Sequence, residues 1–121
     1  METINGYSVN DKSRLQAEIE QFRRKRNTAL GVGISMSAIA IIAIIIVAAI
    51  LVNQAYEYAL QQSSPVTETE IMAKFAGTIA LIYLFGFVET AGNIIALAGG
   101  ISNHVKMANR RRTLERLKNL E

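Results

Sequence analysis

The chain has 121 residues, half of them apolar or aromatic before its eight glycines are counted, and carries 13 Lys+Arg against 10 Asp+Glu for a formal charge of +3. That length allows one small domain. The distribution of the charges excludes more than their sum. Residues 27–56 are thirty consecutive positions without a charge, and residues 75–105 are thirty-one with the single exception of Glu89. A helix needs about 20 apolar residues to cross a bilayer, so both stretches are long enough. The rest of the chain could not cover both inside a water-soluble core, which excludes an ordinary cytosolic enzyme. There are no cysteines, hence no disulfide framework, thiolate nucleophile, iron–sulfur site or cysteine zinc site. The lone histidine, His104, cannot build a two-histidine metal cluster. No metal, no cofactor and no small-molecule substrate are expected.

The expected fold is an all-α integral membrane protein, a two-span transmembrane helical hairpin with amphipathic N- and C-terminal helices. Five segments follow: a polar N-terminal tail at 1–27, a first span at 28–52, an external connector at 53–70, a second span at 71–103 and a basic C-terminal helix at 104–121.

Residues 1–9 lack a helical period and contain the turn pair Asn5-Gly6. From Ser13 the pattern changes. Ser13 and Gln16 fit a capping box, and Leu15, Ile19 and Phe22 then fall on one helical face. Arg23, Arg24, Lys25 and Arg26 follow at the door of the first apolar run. This predicts an amphipathic helix lying along a membrane surface or packed on a partner, with a solvated extension of the first span as the alternative. The centre of the first span, 39–51, is too long for a buried strand and too evenly apolar for a surface helix. A signal peptide would carry a shorter apolar core behind a short basic start, so an uncleaved span is expected.

In the connector, Tyr56 and Tyr58 suit a membrane–water interface. The helix should stop near Ser63-Ser64, because a residue before proline, here Pro65, is pushed out of the helical region. Thr67 and Glu70 form a second capping box that restarts a helix into the second span. The C-terminal tail holds Lys106, Arg110, Arg111, Arg112, Arg116 and Lys118 against Glu115 and Glu121. Leu114, Leu117 and Leu120, with Val105 and Ala108 upstream, give it an apolar side.

Both tails are net positive and the connector is net negative. Lys/Arg excess beside span ends marks the cytoplasmic side, so both termini are expected inside and the connector outside, in a bacterial inner membrane or a virion membrane. Glu89 is the only ionisable group deep in either span, and a carboxylate there costs several kcal/mol. Gly86, Glu89, Asn93, Ala96 and Gly100 are spaced 3, 4, 3, 4 along one small-and-polar stripe, which permits close helix approach and interhelical hydrogen bonds. Gly33, Ser37 and Ala40 offer a facing surface on the first span; Gly92 and Gly99 form a second seam nearby. Glu89 then has three readings: hydrogen-bonding glue, the lining of a pore built from many copies, or a proton- or ion-translocating carboxylate.

A hairpin with glycine in its first span (Gly31-Val32-Gly33) and a mid-membrane carboxylate in its second resembles the rotor-ring subunit of ATP synthases. The connector here, Gln61-Gln62-Ser63-Ser64-Pro65, lacks that family's Arg-Gln-Pro motif, and its activity is not carried over. Phage holins, and small proteins of virions with an internal bilayer, are similar in general plan, without a shared motif. The basic residues Arg23 to Arg26, Lys106, Arg110 to Arg112 and Arg116 are read first as topology determinants and contacts for anionic headgroups at the inner face. Non-specific phosphate contact with nucleic acid is the second reading. No serine or threonine has a recognisable base partner, so no catalysis is expected. The leading functional expectation is a non-enzymatic structural or accessory subunit that oligomerises or scaffolds a larger membrane assembly; the alternative is a holin-like pore-forming protein.

Overall fold

The computed structural model describes residues 2–121. Among them the chain is all-helical without strands: a single 3-10 turn, Val9–Asp11, leads into α1 (Lys12–Gln61), followed by α2 (Glu68–Lys74) and α3 (Ala76–Lys118). α1 has 50 residues and α3 has 43, and both are long and apolar enough to cross a membrane. Only 6% of the most apolar 18-residue stretch of each is buried, whereas the core helix of a water-soluble fold would be mostly covered. Ile39, Ile45 and Val52 on α1, and Tyr83, Phe87 and Leu97 on α3, stand exposed.

Contacts divide the chain into two compact units, Met1–Gly33 with Ile94–Glu121, and Ile34–Asn93. The first begins with a short arm. Asn5 (φ 52°) and Gly6 (φ 83°) both adopt left-handed backbone, and Ile4 and Tyr7 exchange two backbone hydrogen bonds of 2.8 and 3.0 Å. Asn-Gly favours a two-residue turn with two positive φ angles, so the turn pair in the sequence closes a miniature hairpin. Helix entry follows at Ser8, whose N–H and hydroxyl both donate to Asp11 Oδ2 at 2.8 and 3.1 Å. The cap therefore lies at Ser8 and Asp11, not at Ser13 and Gln16. Aspartate three residues on reaches back as glutamate would, through a tightened 3-10 turn, and Ser13 falls inside α1.

α1 is unbroken across positions 27 and 28, so the N-terminal segment extends the first apolar helix. Its apolar face meets the chain's own C-terminal segment instead of lying on a membrane surface. Leu15, Leu114 and Leu117 form a small core, with Ile4, Tyr7 and Ile19 packed against it. Leu15 and Leu117 are fully buried, and each such burial is worth about 1.5–3 kcal/mol. The two helix segments of this unit run antiparallel, Leu15 near Leu117 and Leu30 near Gly100.

The C-terminal apolar face differs in rotation from the expected one. Met107 is buried and Val105 is exposed, and Leu120 is 41% exposed. Each step of three residues falls about 60° short of a full helical turn, so a three-residue repeat drifts off the buried side, and α3 ends at Lys118 before Leu120 is reached.

In the second unit, α1 stops at Gln61, ahead of Pro65 as the sequence predicts, and Thr67 Oγ1 accepts the Glu70 N–H at 3.2 Å to start α2. The expected continuous span from residue 71 is broken, because Phe75 (φ −108°, ψ 26°) leaves the helical region and separates α2 from α3. Its ring packs edge-on against Tyr58, centroids 6.0 Å apart, and the Lys74 ammonium lies 5.1 Å over the Tyr58 ring. This aromatic contact holds the chain at the break. Segments of this unit also run antiparallel, with Ser37 bonded to Glu89 and Tyr58 against Phe75.

Candidate functional sites

Two constellations stand out, one in each unit. In Ile34–Asn93, Glu89 is half-buried, and its Oε1 accepts from Ser37 Oγ at 3.3 Å and from Asn93 Nδ2 at 2.5 Å. Ser37 comes from the facing helix and Asn93 from one turn further along α3. One carboxylate oxygen thus ties two helices together inside a single chain. Thr90 donates its hydroxyl to the Gly86 carbonyl at 2.9 Å, so that polar group is satisfied within its own helix. No buried side-chain polar atom among the described residues lacks a partner.

The expected stripe divides by exposure. Ala96 and Gly100 are buried, Gly86 and Glu89 are half-buried, and Asn93 is exposed. Gly92, which the sequence places on a second seam, is buried as well, so the covered side of α3 is centred between the two seams. On α1, Gly33 and Ala40 are buried and Ser37 is half-buried. The glycines are not equivalent. A Cβ on Gly99 would stand 2.6 Å from the Ala29 Cβ, and one on Gly100 would stand 2.9 Å from Leu30 Cδ2, whereas one on Gly86 would meet nothing within 4 Å.

The second constellation lies in Met1–Gly33 with Ile94–Glu121. Glu18 Oε2 accepts from the Tyr7 hydroxyl at 2.6 Å and from Arg110 Nε at 3.1 Å. The Arg110 guanidinium also sits 5.7 Å over the Tyr7 ring and 5.8 Å over the Phe22 ring. Losing its proton would cost Tyr7 the bond to Glu18 and, as a smaller effect, crowd two negative charges; partial burial adds to this, and the Tyr7 pKa is raised despite the opposing pull of Arg110. Lys25 and Lys106 flank the Phe22 ring, at 5.9 and 5.7 Å.

The remaining basic residues differ in their surroundings. Arg23 bonds Glu20 at 2.9 Å and Arg24 approaches it at 3.6 Å. Arg26 Nη1 lies 3.2 Å from His104 Nδ1, a contact in which the guanidinium can act only as the donor. Arg111, Arg112 and Arg116 are exposed, and the ion pairs among the described residues include none of them. Lys12 pairs with Glu121. No group of three His, Cys, Asp or Glu stands where it could hold a metal among the described residues.

Sequence reasoning missed Tyr7, Glu18, Met107 and Thr113 as structural residues. Thr113 is almost fully buried, donates to the Asn109 carbonyl and accepts from Asn5 Nδ2, both at 3.1 Å. Asn-Gly signalled the turn; nothing in the sequence signalled a partner 108 positions away.

The class that fold and sites define is an all-helical chain with two helices long and apolar enough to cross a membrane. Compared with known proteins, it matches no family model, no curated protein and no solved structure.

Proposed function

We propose that this chain is an integral membrane protein, a two-span helical hairpin with both termini on the cytoplasmic or virion-interior side. On this reading it is a non-enzymatic structural or accessory subunit that joins copies of itself or other membrane subunits in a larger assembly. The bare apolar surfaces of α1 and α3 support the membrane, and the basic tails against an acidic connector support the orientation.

Asn93 carries the assembly reading. It is exposed beside the exposed apolar side chains Ile94 and Leu97, and the amide it uses for Glu89 leaves its carbonyl and second N–H for another partner. An unpaired amide costs several kcal/mol in hydrocarbon, so a second helix that hydrogen-bonds this face is favoured. The same exposure of Asn93 and Thr90, beside a half-buried Glu89, supports the holin-like reading, in which the face lines water.

The chain has no cysteine, so a single Leu97→Cys, one helical turn past Asn93 and likewise exposed, reports on this face without background and leaves the Asn93 amide in place. Oxidative cross-linking in native membranes should give discrete self- or partner-linked species from Leu97→Cys and none from Leu81→Cys. Homogeneous, uncross-linked monomers would defeat assembly. Abrupt collapse of the membrane potential on induction, altered by Glu89→Gln, would replace scaffolding with the pore. A potential that stays intact alongside the cross-links is the outcome expected of a scaffold.

A further inference from the structure

The Asn5-Gly6 turn does more than cap an arm. Together with one face of α3 it encloses an open pocket of about 380 Å³ lined by Asn5, Asn109, Arg110, Arg112, Thr113 and Arg116. Three of these six are arginines. Arg110 is held in place by Glu18 and by the Tyr7 and Phe22 rings. Arg112 and Arg116, one helical turn apart, have no carboxylate within ion-pair distance among the described residues. Like charges at this spacing repel, and here no internal anion offsets the repulsion. Thr113 fixes the wall, because its hydroxyl is used up between Asn5 and Asn109. The donors left over point to an anion: two whole guanidinium forks, the Asn109 amide and the second N–H of Asn5.

A topology determinant would sit beside the span. Arg112 is nine residues past the end of the second span at 103 along one unbroken helix, about 13–14 Å at ~1.5 Å per residue. The headgroup layer is only about 5–8 Å thick on each side of the hydrocarbon, and an ordinary tilt of about 20° shortens the projected distance by less than a tenth. Arg23 to Arg26 lie within the reach of headgroups; this pocket lies beyond it. Guanidinium forks match the oxygens of carboxylate and phosphate alike, and a phosphate group, with a charge of about −1.5 to −2 and three acceptor oxygens, serves two unpaired arginines at once.

We propose that this pocket binds the phosphate group of a water-soluble molecule, with Arg112 and Arg116 as its primary contacts and Asn5 and Asn109 as its sides. The distance argument rests on the membrane reading given above; the pocket and its unpaired arginines do not.

The full chain in phosphatidylcholine nanodiscs is titrated calorimetrically with pyrophosphate. Saturable binding is expected, weakened about tenfold by Arg112→Gln and by Arg116→Gln, each of which removes charge-assisted bonds. Arg111→Gln, equally exposed but outside the lining, should leave it unchanged. Both pocket variants should keep or raise the melting temperature, since each relieves a repulsion. Absence of saturable binding, or equal weakening by Arg111→Gln, overturns the pocket. Tighter binding of citrate than of pyrophosphate overturns phosphate in favour of carboxylates. Phosphatidic acid added to the nanodisc should not compete; if it abolishes pyrophosphate binding, the source is the lipid headgroup, and the soluble-ligand proposal and the assumed depth fail while the pocket stands. Solubility of the chain without detergent would remove the membrane reading and leave the titration to judge the pocket alone.

Discussion

Gly99→Ala tests the close approach of helices directly. The new Cβ would lie 2.6 Å from the Ala29 Cβ, whereas carbon atoms in contact prefer about 3.5–4.0 Å. Ala29 has no torsion that could swing its methyl aside, so the two backbones must part by about 1 Å. Forcing an extra methyl into a packed contact costs about 1–3 kcal/mol, while alanine is favoured over glycine inside a helix by about 1 kcal/mol. The net expectation is a destabilisation of about 0–2 kcal/mol. At Gly86 the same methyl meets nothing within 4 Å, and only the propensity gain of up to about 1 kcal/mol remains. The propensity term is common to both sites, so their difference, about 1–3 kcal/mol, isolates the steric one.

Ala29→Gly transfers the vacancy to the other helix. Combined with Gly99→Ala it should restore the approach, giving a coupling energy within the usual range of about 0.5–3 kcal/mol. The measurement is equilibrium unfolding in mixed micelles, followed by energy transfer between dyes on single cysteines at Asn10 and Asn119. If Gly99→Ala stabilised the chain as much as Gly86→Ala, or if the double variant were simply additive, the close approach would be refuted.

Leu117→Ala should loosen the small core by about 2 kcal/mol, the low end for a buried leucine, and Leu120→Ala by less than about 0.5 kcal/mol; amide exchange over residues 2–12 distinguishes them. The Tyr7 pKa is raised, so the bond to Glu18 stabilises the docked arm fully below the ordinary tyrosine range and is lost as pH climbs through the raised value. Arm docking, followed by the resonances of Thr113, should show this alkaline step in the natural chain and lose it in Tyr7→Phe. Asp11 is held below the ordinary carboxylate range by the Ser8 N–H. Its contribution is present above the ordinary value and is lost as pH falls through the lowered one, a step that Asp11→Asn should abolish. A membrane-impermeant thiol reagent should label cysteines at 63–67 from outside, and cysteines at Asn5 and Asn119 only after permeabilisation.

Apolar run length and helix punctuation were legible because both are local. The residues before Pro65 ended α1 as expected, and Thr67 started α2, since each signal acts within four positions of its effect. The break at Phe75 was not legible: no proline marks it, the nearby Gly77 lies inside α3 and not at the break, and it accompanies a ring contact with Tyr58, seventeen positions back on another helix. The cap at Ser8 was missed for a different reason. Two serines each sit three residues before a polar side chain, and the pattern alone cannot rank Asp11 above Gln16.

Rotation of a helix about its axis is where the sequence runs out. Gly86 to Gly100 and Gly92 to Gly99 describe two faces about a third of a turn apart, and polarity favours the first because Glu89 and Asn93 lie on it. Close contact answers to volume instead. Burying Gly92 with Ala96 and Gly100 keeps Phe87, Ile94 and Leu97 outward, leaves Glu89 half-covered and within reach of Ser37, and turns Asn93 out. Arg110 follows the same logic in the other unit. Charge counting assigns it to a basic tail, yet Glu18, 92 positions away, removes it from that set and places it over two aromatic rings. Arg111, Arg112 and Arg116 gain no such partner among the described residues, so the arginines of this helix divide into one that holds the fold and three that stay exposed without an ion pair.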